Sequence, residues 1–217
     1  MFGELTPITI VTHDPHGTQD PVRVLLADAA EAISAYDRHA AILMGEACEP
    51  RRITWAEPSD TLEAPLILVG AGTCEQNASE RGTMSKFAPP KGALVYGAGA
   101  TCDSMPESSR TLPHDAFAEL MDACARTGAH WGGGLFVRYG HLRYEQVPEL
   151  PRMGMLRRPI SEATDQLIAA LRSSLTLPEA AQTFGYEGEL AEQAARGVLE
   201  ASQQLPRPLC TLIAALR

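Results

Sequence analysis

Apolar residues fall into short uninterrupted runs that alternate with longer segments in which they recur every three or four positions. The first run, I-T-I-V at 8–11, breaks into a polar loop that ends at Asp20-Pro21, a typical N-cap and first helical position. One apolar helix face follows, formed by Val22, Leu25, Leu26, Ala29, Ile33 and Tyr36. This order predicts the first unit of an open α/β sheet, with the loop at the sheet's carboxyl edge.

The second strand has two candidate positions. The apolar face of the first helix can be continued through Ala40, Leu43 or Met44 and Ala47, in which case the helix is unusually long and the second strand lies at Arg52–Ala56. The alternative is a helix that ends near Arg38 and a strand at Ala41–Met44. The hydrophobic pattern leaves both open.

Three further apolar runs predict parallel strands that are covered on both faces. They lie at Ala64–Val69, Ala93–Tyr96 and Ala129–Tyr139, and glycines follow the first two runs. A helix is predicted at Pro113–Thr127 with Gly128 as its stop, whereas Thr73–Lys91 favours a short or irregular helix. Five strands alternating with helices indicate an α/β fold with a flavodoxin-like doubly wound parallel sheet.

The C-terminal region predicts two helices and an apolar tail. The helices lie at Pro159–Ser173 and Glu187–Gln203, and Leu205–Pro208 breaks the chain before the tail at Leu209–Leu216. So apolar a tail is expected to dock on the domain or on a second subunit. We therefore divide the chain into a flavodoxin-like α/β domain at residues 1–174 and a C-terminal helical extension at 175–217, packed on the domain or on a partner subunit.

Composition and charge narrow the class of partner. The chain has 217 residues, of which 45% are hydrophobic, and this is enough to bury a full core. Its formal charge of −9, from 18 Lys plus Arg against 27 Asp plus Glu, argues against nucleic acid and against anionic membranes as main partners. Arg152, Arg157 and Arg158 form a local basic patch, which we interpret as a solvated loop.

Cysteine usage and hydropathy indicate a compartment. The five cysteines are widely spaced and include no C-x-x-C pair, so we expect reduced thiols. The first residues lack the pattern of a secretory signal, and no apolar stretch approaches the roughly 20 residues of a membrane span. A cytoplasmic protein is therefore expected.

Three stretches resemble those of a known family. T-H-D-P-H-G-T-Q-D-P at 12–21 lies where family members carry a strand-ending phosphate loop of the form N-G-S-P-R-x-x-S-x-T. The helix end and glycine-rich fifth strand of these family members are similar to C-A-R-T-G-A-H-W-G-G-G-L at 124–135. Their C-terminal segment of the form P-R-x-L is similar to L-P-R-P-L at 205–209. The chain thus resembles the NADPH-dependent FMN reductase and flavodoxin-like oxidoreductase family.

The resemblance implies an FMN held by three loops, at Thr12–Gln19, Gly70–Glu75 and Gly97–Asp103. Hydride transfer from NAD(P)H to the bound flavin would follow, with a separate electron acceptor, and no acid–base residue is required for that step. A homodimer is also implied. The implied cofactor-binding residues are Thr12, His13, His16, Gly17, Thr18, Gln19, Gly70, Gly72, Thr73, Gly97, Gly99 and Thr101.

Two departures from the family pattern support other functions. Asp14 and Asp20 put negative charge around the phosphate loop, and the loop after strand three lacks the family's proline and aromatic wall. A flavodoxin-fold protein that has lost FMN binding, and that binds another small ligand or a protein, is the main alternative. His13, Asp14 and His16 support a minor one: a bound metal ion or a tetrapyrrole chelatase-like protein, with Cys74 or Cys102 as a further ligand.

Overall fold

The computed structural model describes residues 5–12, 20–45, 51–71, 86–102, 113–140 and 144–203. The strands in these ranges are β1 (Ile8–Val11), β2 (Ile53–Ala56), β3 (Leu66–Ala71), β4 (Leu94–Thr101), β5 (His130–Arg138) and β6 (Val198–Ser202). The helices are α1 (Pro21–Met44), α2 (Pro113–Thr127), α3 (Arg158–Arg172), α4 (Leu177–Phe184) and α5 (Gly188–Ala195), with a 3-10 helix at Tyr144–Glu149.

The strands form one sheet in the order β2-β1-β3-β4-β5-β6, and every neighbouring pair is parallel. Ile8 of β1 is in register with Ile53 of β2 on one side and with Leu66 of β3 on the other. The predicted α/β class with a parallel sheet is therefore confirmed. The described residues form six strands, so the predicted number of five is wrong.

The additional strand is β6, which lies inside the predicted helix Glu187–Gln203. That helix ends much earlier, because Gly197 follows α5 with a positive φ of 79° that terminates helical geometry. Beyond it, Leu199 and Ala201 are buried while Glu200 between them is exposed, the period of two expected of a strand. Backbone N–H of Gln203 donates to Arg138 O at 3.0 Å and joins the end of β6 to β5.

The second strand is β2 at Ile53–Ala56, and Ala41–Met44 forms the last turn of α1, a helix of 24 residues. The Asp20 carboxylate caps the start of α1 by accepting from Val22 N at 3.0 Å, as the sequence predicts. Gly45 ends the helix in the left-handed region, with φ 65°.

Helices cover the sheet on both faces. We call the face under α1, α3, α4 and α5 the α1 face, and the opposite one, under α2, the α2 face. Alternate strand residues supply the two cores, since side chains on a strand point to opposite faces in turn. Large buried side chains on the α1 face are Ile8, Ile10, Leu66, Leu68, Tyr96, Leu135, Val137 and Leu199. Those on the α2 face are Val11, Ile67, Val69, Val95, Phe117, Leu120 and Phe136.

Candidate functional site

The sheet changes direction between β1 and β3. The chain first adds β2 on one side of β1 and then adds β3 on the other, so the connections leave β1 and β3 in opposite directions. In open α/β sheets, ligands bind in the crevice outside the carboxyl ends of the strands at such a switch point. The carboxyl ends of β1 and β3 therefore define the candidate site.

Two predicted binding residues lie at strand ends on this edge. Thr12 directly follows β1, is 3% exposed, and donates its backbone N–H to Ala56 O at 3.1 Å. Thr101 is the last residue of β4 and is half-buried, and its carbonyl accepts from Tyr139 N at 2.9 Å. Both threonines are thus anchored through their backbone.

Three predicted loop glycines lie inside strands instead. Gly70 belongs to β3, and a Cβ there would be 2.9 Å from Val22 Cγ1 and 3.0 Å from Leu26 Cδ1. Gly97 and Gly99 belong to β4, because this strand runs five residues past the predicted end at Tyr96. Close packing of neighbouring side chains accounts for the absence of a side chain at all three positions.

The remaining predicted binding residues are outside the described part of the chain. These are His13, His16, Gly17, Thr18, Gln19, Gly72 and Thr73, and Asp14, Cys74 and the tail at Leu209–Leu216 also lie outside it. Within the described ranges, no three His, Cys, Asp or Glu side chains lie close enough to hold a metal ion. Cys102, directly after β4, is a buried cysteine in the reduced form.

The start of α1 sets the electrostatics of the edge. Gly70 lets the first turns of α1 approach β3 closely, so the helix N-terminus lies at the switch point. Such an N-terminus attracts anions through its free N–H groups and dipole. Here Pro21 has no N–H, and the Val22 N–H is already taken by the Asp20 carboxylate. One negative side chain thus occupies the position that an anionic ligand would favour.

A partly buried ion-pair cluster, which we call the Asp28 cluster, was not predicted. It consists of Asp28 on α1, Arg152 and Arg157 in the segment before α3, and Asp165 on α3. Arg152 Nη1 lies 3.1 Å from Asp28 Oδ1, and Arg157 also pairs with that carboxylate. Arg152 pairs in addition with Asp165.

The cluster fixes the segment that follows β5 against α1. Arg157 is 4% exposed, and its Nη1 donates to the carbonyls of Pro148 and Leu150 at 2.9 Å each. The interpretation of the basic patch as a solvated loop is therefore wrong for Arg157, while Arg158 is exposed and pairs with Glu162 four residues on. The available signal was weak: Asp28 lies beside the apolar face of α1, three residues after Leu25 and four before Ala32.

Tyr139, directly after β5, lies within electrostatic range of this cluster. It is 1% exposed, and burial first, then the charge of Asp28, raises the pKa of its phenol far above the ordinary value. The positive charge of Arg157 lowers this pKa, but by less than burial raises it. The phenol is therefore neutral throughout the physiological range and supplies packing, including contact with the Tyr144 ring at 6.2 Å between centroids.

Comparison of the chain with protein-family models, with curated proteins and with solved structures finds no match. In the described part of the chain, no helix is both long and apolar enough to cross a membrane.

Proposed function

We propose that this chain is a flavodoxin-like α/β protein that binds FMN at the carboxyl ends of β1 and β3 and transfers hydride from NAD(P)H to the flavin. The single observation that carries the proposal is the switch point between these two strands. The first five strands follow the order 2-1-3-4-5. In flavodoxin-like sheets of this order FMN binds at the β1/β3 switch point.

The roles of the residues follow from their places on this edge. We assign the FMN phosphate to the Thr12 hydroxyl and to the residues 13–19 that link β1 to the N-terminus of α1. Thr101, at the end of β4, faces the polar edge of the flavin ring in this arrangement. Bound FMN supplies the hydride-accepting chemistry, while the protein orients the ring and excludes water. A cytoplasmic homodimer remains part of the proposal on family resemblance alone.

Among the residues that the structure describes, Asp20 is the one whose negative charge disfavours FMN binding. At an effective dielectric constant of about 20, a carboxylate about 4 Å from a phosphate charge costs about 4 kcal/mol. Its capping of α1 also uses a backbone donor that a phosphate would otherwise accept from. This observation favours a second candidate function, in which the fold is kept and the same edge binds a different small ligand or a protein.

An FMN titration followed by flavin fluorescence separates the two functions. Asp20→Asn keeps a good N-cap and removes the charge, so we expect it to tighten FMN binding about tenfold or more over the unaltered protein. Thr12→Val removes a hydroxyl and keeps the side chain's shape. It should weaken FMN binding about tenfold, the loss expected for a hydrogen bond to a charged group.

Thr9→Val is the matched control. Thr9 lies on β1 away from the edge, where its hydroxyl pairs with that of Thr54 at 3.0 Å. This variant should leave FMN affinity unchanged. Absence of FMN binding to both the unaltered protein and Asp20→Asn contradicts the proposal. Binding by Asp20→Asn alone supports the second candidate function and identifies Asp20 as the residue that excludes FMN.

A further inference from the structure

A cleft of about 300 Å³ opens at the amino ends of β5 and β6, the sheet edge opposite the proposed FMN site. Helix α2 and strand β5 contribute Phe117, Met121, Trp131, Gly132 and Gly133 to its lining. The start of α4 and the turn between α5 and β6 contribute Thr176, Pro178, Ala195, Arg196, Gly197 and Val198. Several elements thus converge on the cleft, and every residue that lines it lies in the described part of the chain.

The aromatic part of the lining is held in place by the sheet. The rings of Phe117 and Trp131 lie with their centroids 5.6 Å apart and their planes tilted by 42°. Both rings pack so closely on β4 that a Cβ at Gly97 would come within 2.8 Å of each. Trp131 is nevertheless only half-buried, and Met121 is 41% exposed. The cleft therefore presents a preformed aromatic surface, on which a further ring can pack at the 4.5–7 Å typical of aromatic pairs.

Strand β5 has a bulge where it lines the cleft. Val95 of β4 is in register with Trp131, whereas the next residue, Tyr96, is in register with Gly133, so Gly132 is the extra residue. The extra residue of a bulge is left unpaired in the ladder, and bulges are frequent beside binding sites. The peptide group of Gly132 is therefore a polar partner that a ligand in the cleft can use.

Arg196 gives the cleft its charge. Of the residues that line it, Arg196 alone is charged, and its side chain is exposed at the end of α5. Its Nε donates to Glu192 O at 3.3 Å, and within the described ranges its guanidinium forms no ion pair with a carboxylate. Glu179, in the first turn of α4, is held by Thr176, whose N–H and hydroxyl both donate to Glu179 Oε2 at 2.8 Å. The cleft is thus largely apolar, with one positive charge at its rim.

We infer that this cleft binds a small aromatic carboxylate, with its ring on Phe117 and Trp131 and its carboxylate on Arg196. A guanidinium matches a carboxylate through two parallel N–H···O bonds. Small-molecule sites are typically apolar cavities with a few polar groups, and about 300 Å³ is at the small end of their range. That volume suits one ring with a short acidic chain. The inference is independent of the proposed FMN function.

Titration of the full chain with 3-phenylpropionate, followed by tryptophan fluorescence, tests the inference. Trp55→Phe removes the other tryptophan, so the signal in this background comes from Trp131 in the cleft. 3-Phenylpropionamide has the same ring without the charge and should bind about tenfold more weakly, the difference expected for hydrogen bonds to a charged group. Arg196→Gln should weaken binding of the acid about tenfold and leave binding of the amide unchanged.

Arg126→Gln is the matched control. Arg126 is exposed in the last turn of α2 and is not part of the lining, so this variant should bind 3-phenylpropionate as the unaltered protein does. Ala195→Phe tests the apolar part of the site. Ala195 lines the cleft but is exposed, so a larger side chain there can fill the space without disturbing the core and should weaken binding of both probes.

Equal affinity for the acid and the amide would overturn the inference, as would an unchanged affinity for the acid in Arg196→Gln. Absence of binding of either probe, in fluorescence and in calorimetry, would overturn it as well. FMN affinity is measured on the same samples and should be the same with and without saturating 3-phenylpropionate, because the two sites lie at opposite edges of the sheet. Failure of this site and failure of FMN binding are therefore separate results.

Discussion

The two faces of the sheet are stabilised in different ways. On the α1 face, charges are buried in pairs that join distant parts of the chain: Asp37 on α1 binds Arg51 before β2 at 2.9 Å and Arg172 at the end of α3 at 3.0 Å. On the α2 face, aromatic rings fill the space that glycines leave, and Phe117 packs against Gly97 and Gly134. The α1 face should therefore be sensitive to loss of charge, and the α2 face to added volume.

The largest expected effect is on the α1 face. Asp37 is 3% exposed and Arg51 is 7% exposed, so Asp37→Asn leaves an arginine charge buried without its partner. We expect the free energy of unfolding to fall by about 3–5 kcal/mol, the range for breaking a buried ion pair. Urea unfolding monitored by circular dichroism measures it. The matched control is Glu162→Gln in the exposed pair with Arg158, which should show no measurable change.

A smaller loss is expected from added volume on the α2 face. In Gly97→Ala the new Cβ would lie 2.5 Å from Phe117 Cδ1 and 2.8 Å from Trp131 Cη2. Overpacking of this kind costs about 1–3 kcal/mol, and Phe117→Leu in the same chain should recover part of it.

Gly70→Ala makes the same change on the α1 face. Its new Cβ meets the flexible ends of Val22 and Leu26 at 2.9 and 3.0 Å. These side chains can shift, so the loss in urea unfolding should be smaller than for Gly97→Ala. A larger loss for Gly70→Ala would contradict the difference between the two faces.

The effect that is smallest at neutral pH is a pH dependence on the α2 face, which appears only in alkaline solution. Burial raises the pKa of the Cys124 thiol on α2 from 9.0 to about 11. Because the folded state holds this proton more tightly, its contribution to stability is complete below pH 9 and is lost as the pH rises to about 11. Two pKa units correspond to about 2.7 kcal/mol, and this full loss is reached only at about pH 11 and above. Cys124→Ala should flatten the stability profile in this window, and an unchanged slope would contradict a buried neutral thiol.

Local signals in the sequence predicted much of the fold. Asp20-Pro21 marks the start of α1 and Gly128 the end of α2, because caps and stops depend on neighbouring residues alone. β6 was missed because Val198–Ser202 continues an apolar spacing that also suits a helix, and Gly197 was the only break between them. The ion pairs of Asp37 and Asp28 join residues up to 135 positions apart, and no local pattern encodes such pairs.

The candidate site also has one feature that the sequence predicts and others that it does not. Its place follows from strand order, which the alternation of strands and helices indicates before any contact is known. Gly97 and Gly99 were expected in a loop because glycines after an apolar run are typical of turns. They lie in β4, and glycine is needed there because Phe117 and Phe136 approach the strand too closely for a side chain. That reason depends on tertiary packing.

The central claim is that FMN binds at the carboxyl ends of β1 and β3. Amide hydrogen exchange of the full chain, with and without saturating FMN, tests it most directly. We predict slower exchange with FMN in peptides that cover residues 12–24, 70–80 and 99–112, and unchanged exchange around Trp131–Gly134 and Gly197 at the opposite edge. Protection at the opposite edge, or no protection in any peptide, would contradict the account.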